Sequence, residues 1–137
     1  MCLSLLKLKI LLKWLISTVN IFLVDVIITI EDKQDNYKEV IKEENVVDKK
    51  HFSYTDSLDV LNDVRIFNNG ITIFRKDEDH ETFVVLRDKP YIKVKSSEGS
   101  IVFSIKELAL SINNDIISIG YYLNDSYKQI KIEFIGD

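Results

Sequence analysis

Residues 1–35, MCLSLLKLKILLKWLISTVNIFLVDVIITIEDKQD, decide how the rest of this chain is read. The stretch is apolar for about thirty residues. It carries Lys7, Lys9 and Lys13 early, then turns acidic at Glu31, Asp32 and Asp35. Between Trp14 and Ile30 the one charge is Asp25. Extended back across Lys13 to Ile10, the run reaches the length at which a helix spans the roughly 30 Å of a bilayer's apolar layer. Three readings compete: a membrane anchor, a removable signal and a segment of the protein's own core. No small-x-small cleavage site follows the run, which argues against a signal. Lys13, Asn20 and Asp25 argue against lipid, where a central charge costs about 2.5–3.5 kcal/mol on insertion scales. The β-branched run VDVIITI also fits a buried strand. Lysines before the run and carboxylates after it match a span with its N-terminus in the cytoplasm. The expectation is therefore an anchor helix over residues 1–30, in a single-pass protein of the cell membrane whose body lies outside. Asp25, a carboxylate inside the span, is then the candidate assembly contact, because a charge in lipid needs a partner.

The whole chain has 137 residues and a net charge of −4. That length holds one modest core. The first thirteen residues carry +3 and residues 31–137 carry −6. An acidic body lacks the basic surplus of a nucleic-acid-binding domain, so no direct sequence-specific nucleic-acid binding is expected. The single cysteine, Cys2, excludes a disulfide framework within the chain.

Residues 31–51 are dominated by charge and read as a stalk or linker in the form of a solvated helix or an exposed connector. The body follows over 52–137. Thr55 or Asp56 suits the cap of a short helix with Leu58, Leu61 and Val64 on one face. After it the period shortens from near 3.6 to 2. RIFNNGITIFRK reads as two strands around Asn69-Gly70, a hairpin pair. ETFVVLR, YIKVK, SIVFSI, IISIGYYL and KQIKIEFI continue at turn spacings of about 8–12 residues, the signature of consecutive antiparallel strands. KELALSI between them fits either a helical turn or an irregular edge. Gly120 inside a strand points to a bulge or a close backbone contact. The expected fold class is α+β: an apolar N-terminal helix and stalk, then a mainly antiparallel β-meander covered by the short helix, the stalk or a second sheet.

No residue pattern points to a reaction. His51 and His80 are the two histidines, and His80 sits in the acidic turn DEDHE, which is too short and lacks the glycine of a calcium loop. No HExxH, phosphate loop or CxxC occurs. No catalytic residue, cofactor or metal site is expected. Lysines on 91–95 and 128–133, with Tyr91, Tyr121, Tyr122 and Tyr127, form a candidate basic-aromatic patch for single strands. Edge protection explains the same lysines. Asn124-Asp125-Ser126 matches a glycosylation sequon.

The segments FSYTDSLDVLNDV, NNGITIFRK, YIKVKSSEGS and IISIGYYLNDSYKQIKIEF, in that order, resemble the minor pseudopilins of Gram-positive late-competence systems over residues 52–134. NIFLVD at 20–25 stands where that class carries its processing site, with Asn20 in place of Gly and Asp25 in place of Glu. Only VIITI follows before the charges begin. The resemblance implies a non-enzymatic subunit of an envelope pilus-like machine for DNA uptake in transformation. Its partners would be other membrane or pilin-like subunits, with Asp25 meeting a neighbour's N-terminal amine. The alternative is a small soluble binding module, of phage or immunity type, with residues 1–30 packed in its own core.

Overall fold

The computed structural model describes residues 23–136, and these form ten antiparallel strands. The strands are β1 (Val24–Asp32), β2 (Tyr37–Val46), β3 (His51–Thr55), β4 (Leu61–Phe67), β5 (Gly70–Lys76), β6 (Glu81–Leu86), β7 (Tyr91–Ser96), β8 (Gly99–Ile112), β9 (Ile116–Leu123) and β10 (Ser126–Gly136). Their spatial order is β2-β1-β10-β9-β8-β7-β6-β5-β4-β3. All neighbours but β1 and β10 are joined by short connections. The two edge strands, β2 and β3, are consecutive in the chain and lie beside each other. The sheet therefore curls into a nearly closed barrel.

The expected α+β class is corrected to all-β. Residues 24–32 are a strand because Val24, Val26, Ile27, Ile28, Thr29 and Ile30 are all β-branched, which disfavours helix and suits a pleated surface. Val26, Ile28 and Ile30 point inward, opposite Phe134, Ile132 and Ile130 of β10. Among the described residues no helix is long and apolar enough to cross a membrane. The anchor helix over 1–30 and the single-pass membrane location built on it fail at this segment. The part of the leading stretch that is described belongs to the protein's own core. Residues 1–22 of the expected anchor lie outside the described residues.

The charged stretch expected as a helical stalk is strand β2. Its alternation puts Glu39, Ile41 and Glu43 on the inner face and Lys38, Val40 and Lys42 outside. The short helix expected near 56–64 is a turn followed by β4. The Asp56 carboxylate does accept backbone N–H groups, from Leu58 at 3.0 Å and Val60 at 3.1 Å. Asp59 then adopts φ +63°, which ends any helix, and the alternation of β4 begins. The hairpin at NNG forms with Phe67 opposite Gly70, so the turn residues are Asn68 and Asn69. Gly70 has φ +151°, and a Cβ there would run into the Leu86 carbonyl.

β8 holds the two halves together. Gly99–Ser104 pair with β7, and Ile105–Ile112 pair with β9. The changeover falls between Ser104 and Ile105, and a bulge follows between Lys106 and Ala109, where Glu107 has φ +55°. KELALSI is thus an irregular strand, and the bulge bends it from one wall of the barrel into the other. Val26, Ile28, Val64, Ile71, Leu86, Ile117 and Ile132 are the fully buried centre. Each contributes about 1.5–3 kcal/mol by leaving water.

One end of the barrel is plugged by ion pairs. Asp32 accepts hydrogen bonds from the Lys128 ammonium at 2.5 Å and the Ser126 hydroxyl at 2.7 Å. The Lys128 and Ser126 bonds hold its carboxyl well below the usual carboxylate range. On the facing wall Arg75 donates to Asp56 at 2.7 Å and Asp77 at 3.1 Å, while the Asn62 amide also donates to Asp56. Burial alone would push the Asp56 carboxyl up, but bonds from Arg75 and Asn62 outweigh it and the net shift is downward. Buried Tyr54 and Tyr121 lie at the same end. Burial pushes the Tyr121 phenol up to about 12.

Candidate functional site

Two places on the surface combine chemistry with access. The first is the β7–β8 hairpin. β9 stops pairing at Leu123, opposite Ile105, so among the described residues Gly99–Ser104 have β7 on one side and no strand on the other. The sequence Gly-Ser-Ile-Val-Phe-Ser carries no charge. Alternation alone would bury one face of this segment. Instead Ile101 is 61 % exposed and Val102 is 60 % exposed, one on each face. The hairpin therefore projects beyond the core, and its outer strand offers unpaired backbone N–H and C=O groups between apolar side chains.

The second is a cleft of about 440 Å³ at the barrel end opposite the ion pairs. Its floor includes Ile112, Ile117 and Phe134, and its rim includes Lys49, Lys50 and Asn113. It opens where β8 beyond Ile105 pairs with β9 but no longer with β7. Ile117 is 1 % exposed, so the floor reaches the core itself. Lys49 crosses the opening: its ammonium donates to the Asn114 carbonyl at 2.5 Å and lies 5.0 Å from the Phe134 ring centroid.

The residues singled out from the sequence lie elsewhere. Asp25 is on strand β1, not on a membrane helix. Its carboxylate accepts the Asn45 N–H at 3.2 Å and lies 3.9 Å from the Lys42 ammonium. Asn45 has φ +60°, and the β1–β2 register shifts at this place, so Asp25 pins an irregularity in the edge strand. His51 contacts Asp63 at 2.7 Å in an exposed pair on β3 and β4. His80 sits in the turn before β6, where the Asp77 carboxylate takes its backbone N–H at 2.7 Å. Among the described residues no group of three or more His, Cys, Asp or Glu stands close enough to hold a metal ion.

The basic-aromatic patch is divided by the fold. Tyr121 points into the core and is 4 % exposed. Tyr122 and Tyr127 remain together outside, with ring centroids 5.0 Å apart, and Lys33 lies 5.8 Å from the Tyr127 ring. Tyr91 belongs to β7, two strands from β9. Gly120 is explained here: the Tyr127 hydroxyl occupies the space a Cβ would need.

Neither candidate place was marked from sequence. SIVFSI is read there as one more paired strand, and nothing in its composition says that β9 ends short of it. The cleft joins residues 49–50, 112–113 and 134, which are brought together only by closure.

No family model matches this chain, and no curated protein matches it. It is similar to a solved structure, the crystal structure of the ywiB protein from Bacillus subtilis, at 18% sequence identity. That alignment covers 88% of this chain and 98% of the other, with a TM-score of 0.33. None of these findings links the chain to the late-competence pseudopilins, and the transmembrane helix such a subunit needs is replaced, over residues 24–30, by strand β1.

Proposed function

We propose that this chain is a non-catalytic binding module that docks another polypeptide by strand addition along Gly99–Ser104. The observation that carries the reading is the uncharged edge of β8, unpaired among the described residues, with Ile101 and Val102 exposed on opposite faces. A partner strand laid there satisfies main-chain hydrogen bonds, and the apolar side chains on either face supply selectivity. Natural edges that must stay single carry lysine, proline or a bulge. This one carries none between Gly99 and Ser104. Binding without chemistry also agrees with the placement of His51 and His80. Each pairs with a carboxylate on the surface, and neither lines the cleft.

The test is a titration of the isotopically labelled full chain with a synthetic peptide of residues 99–105, followed by amide resonances. Antiparallel self-pairing of this segment brings no like charges together. Expected shifts are confined to residues 99–104, with lost hydrogen exchange at alternate amides. Val102→Glu keeps the hairpin, because residue 102 faces Lys93 across the ladder, and it abolishes peptide binding. Absence of shifts at millimolar peptide, or shifts spread over other strands, overturns the reading.

A further inference from the structure

We propose that the cleft at the open barrel end is a binding site for a small amphiphilic anion, a carboxylate head on an apolar body such as a medium-chain fatty acid. Three observations carry this. The floor is apolar and reaches residues of the core: Ile117 is 1 % exposed and Phe134 8 % exposed. The volume, about 440 Å³, falls in the range of small-ligand pockets, roughly 300–1,000 Å³. Among the described residues the charged lining is of one sign, with Lys49 and Lys50 at the rim and no carboxylate.

The rim is suited to the head group. Lys49 spends one of its three N–H donors on the Asn114 carbonyl and keeps two for a ligand. Its ammonium stands beside the Phe134 ring, at the border between the wet rim and the dry floor. Asn113 uses its Oδ1 on the backbone N–H groups of Asp115 and Ile116, which leaves its amide N–H groups as donors. A carboxylate at this border meets the Lys49 ammonium and the Asn113 amide as donors, while its chain enters between β8 and the β4–β5 turn. A cation with the same chain would meet two lysines. An uncharged alcohol would gain the floor but not the rim.

The inference is independent of strand addition, and one set of measurements separates the two. Calorimetry and amide shifts on the full chain are recorded with octanoate, 1-octanol and octylammonium. Octanoate is expected to bind and to shift Ile112, Ile117 and Phe134. Lys49→Met with Lys50→Met is expected to weaken octanoate roughly tenfold or more and to leave 1-octanol unchanged. Ile112→Trp, at a half-buried position, fills the cleft and removes binding of both. Val102→Glu, which removes peptide docking at β8, leaves octanoate binding as it was. Equal affinity for octanoate and 1-octanol, tighter binding of octylammonium, or no binding of octanoate overturns the proposal.

Discussion

At the β2–β3 seam two edge strands face each other, whereas along Gly99–Ser104 an edge of the same sheet runs bare. The seam has no backbone ladder among the described residues. Inward-facing carboxylates do the joining: Glu39 accepts the Ser57 N–H at 2.7 Å and Glu43 accepts the Thr55 N–H at 3.1 Å. Residues 37–46 are half charged, so any outside strand approaching β2 would have to desolvate lysines and glutamates. The β8 edge carries no charge between Gly99 and Ser104, and among the described residues nothing covers it. Ten strands thus carry one edge sealed by side chains and one left available. The difference lies in sequence composition, not in hydrogen-bonding capacity, which every strand edge shares.

Ile132→Ala, in the centre of the closed wall, is expected to lower unfolding free energy by about 2–5 kcal/mol in chemical denaturation. Val102→Ala on the open edge should change it by less than about 0.5 kcal/mol. Similar losses at both positions would mean that the β8 hairpin is part of the core. Next comes Arg75→Met, which leaves Asp56 without its cation at the plugged end. A loss of about 2 kcal/mol is expected, less than for a fully buried pair because the Arg75 side chain keeps 23% exposure. Glu39→Gln with Glu43→Gln attacks the seam itself. About 1 kcal/mol is expected, with faster hydrogen exchange at Thr55 and Ser57 and no change at Gly99–Ser104. If the seam variant begins to associate through β3, the carboxylates are what keeps that edge single.

The gentlest perturbation alters no residue. Asp32 and Asp56 hold their carboxyls below the ordinary value of 3.8 in the fold. Below that pH the unfolded chain binds protons that the folded chain refuses, so stability falls as pH falls. It is fully present above about pH 5 and drains progressively below about pH 4. On the alkaline side Tyr121 keeps its proton up to about 12 in the fold, against an ordinary 10.0. Stability is then complete below pH 10.0 and is lost as pH rises toward 12. Thermal melts across both windows, beside Tyr121→Phe, check the signs. A Tyr121→Phe profile that falls as steeply as the parent above pH 10.0 would assign the alkaline loss to other groups.

Much of the sheet was legible because its strands are half-wet. YIKVK and KQIKIEFI alternate cleanly, and NNG marks its hairpin to within one residue. Gly120 pointed to a bulge or a close backbone contact, and the space is taken instead by a side chain, the Tyr127 hydroxyl. The failure at VDVIITI has a physical cause. β1 is flanked by β2 and β10, its outward positions Ile27 and Thr29 are half-covered, and Ile27 puts an apolar side chain on the outward face between Asp25, Thr29 and Glu31. Ile27 interrupts the alternation, and with the apolar residues that precede it in the sequence the strand reads like part of a greasy helix. β-branching was the remaining signal, and it pointed to strand. Asp56 misled for a different reason. A carboxylate accepting N–H groups two to four residues on is equally the mark of a helix cap and of a turn. The open edge and the cleft left no trace in the sequence, since both depend on where β9 stops and where β8 bends.

The pairing of β1 with β10 also sets the order in which the molecule assembles. Asp32 and Lys128 are 96 residues apart, and everything from β2 to β9 must be made before their contact forms. Hairpins between neighbouring strands close early, while β1 waits with an apolar flank exposed. The rate at which this protein reaches its native state should therefore track the arrival of β10, and a fragment ending before Ser126 should stay sticky however well its hairpins form.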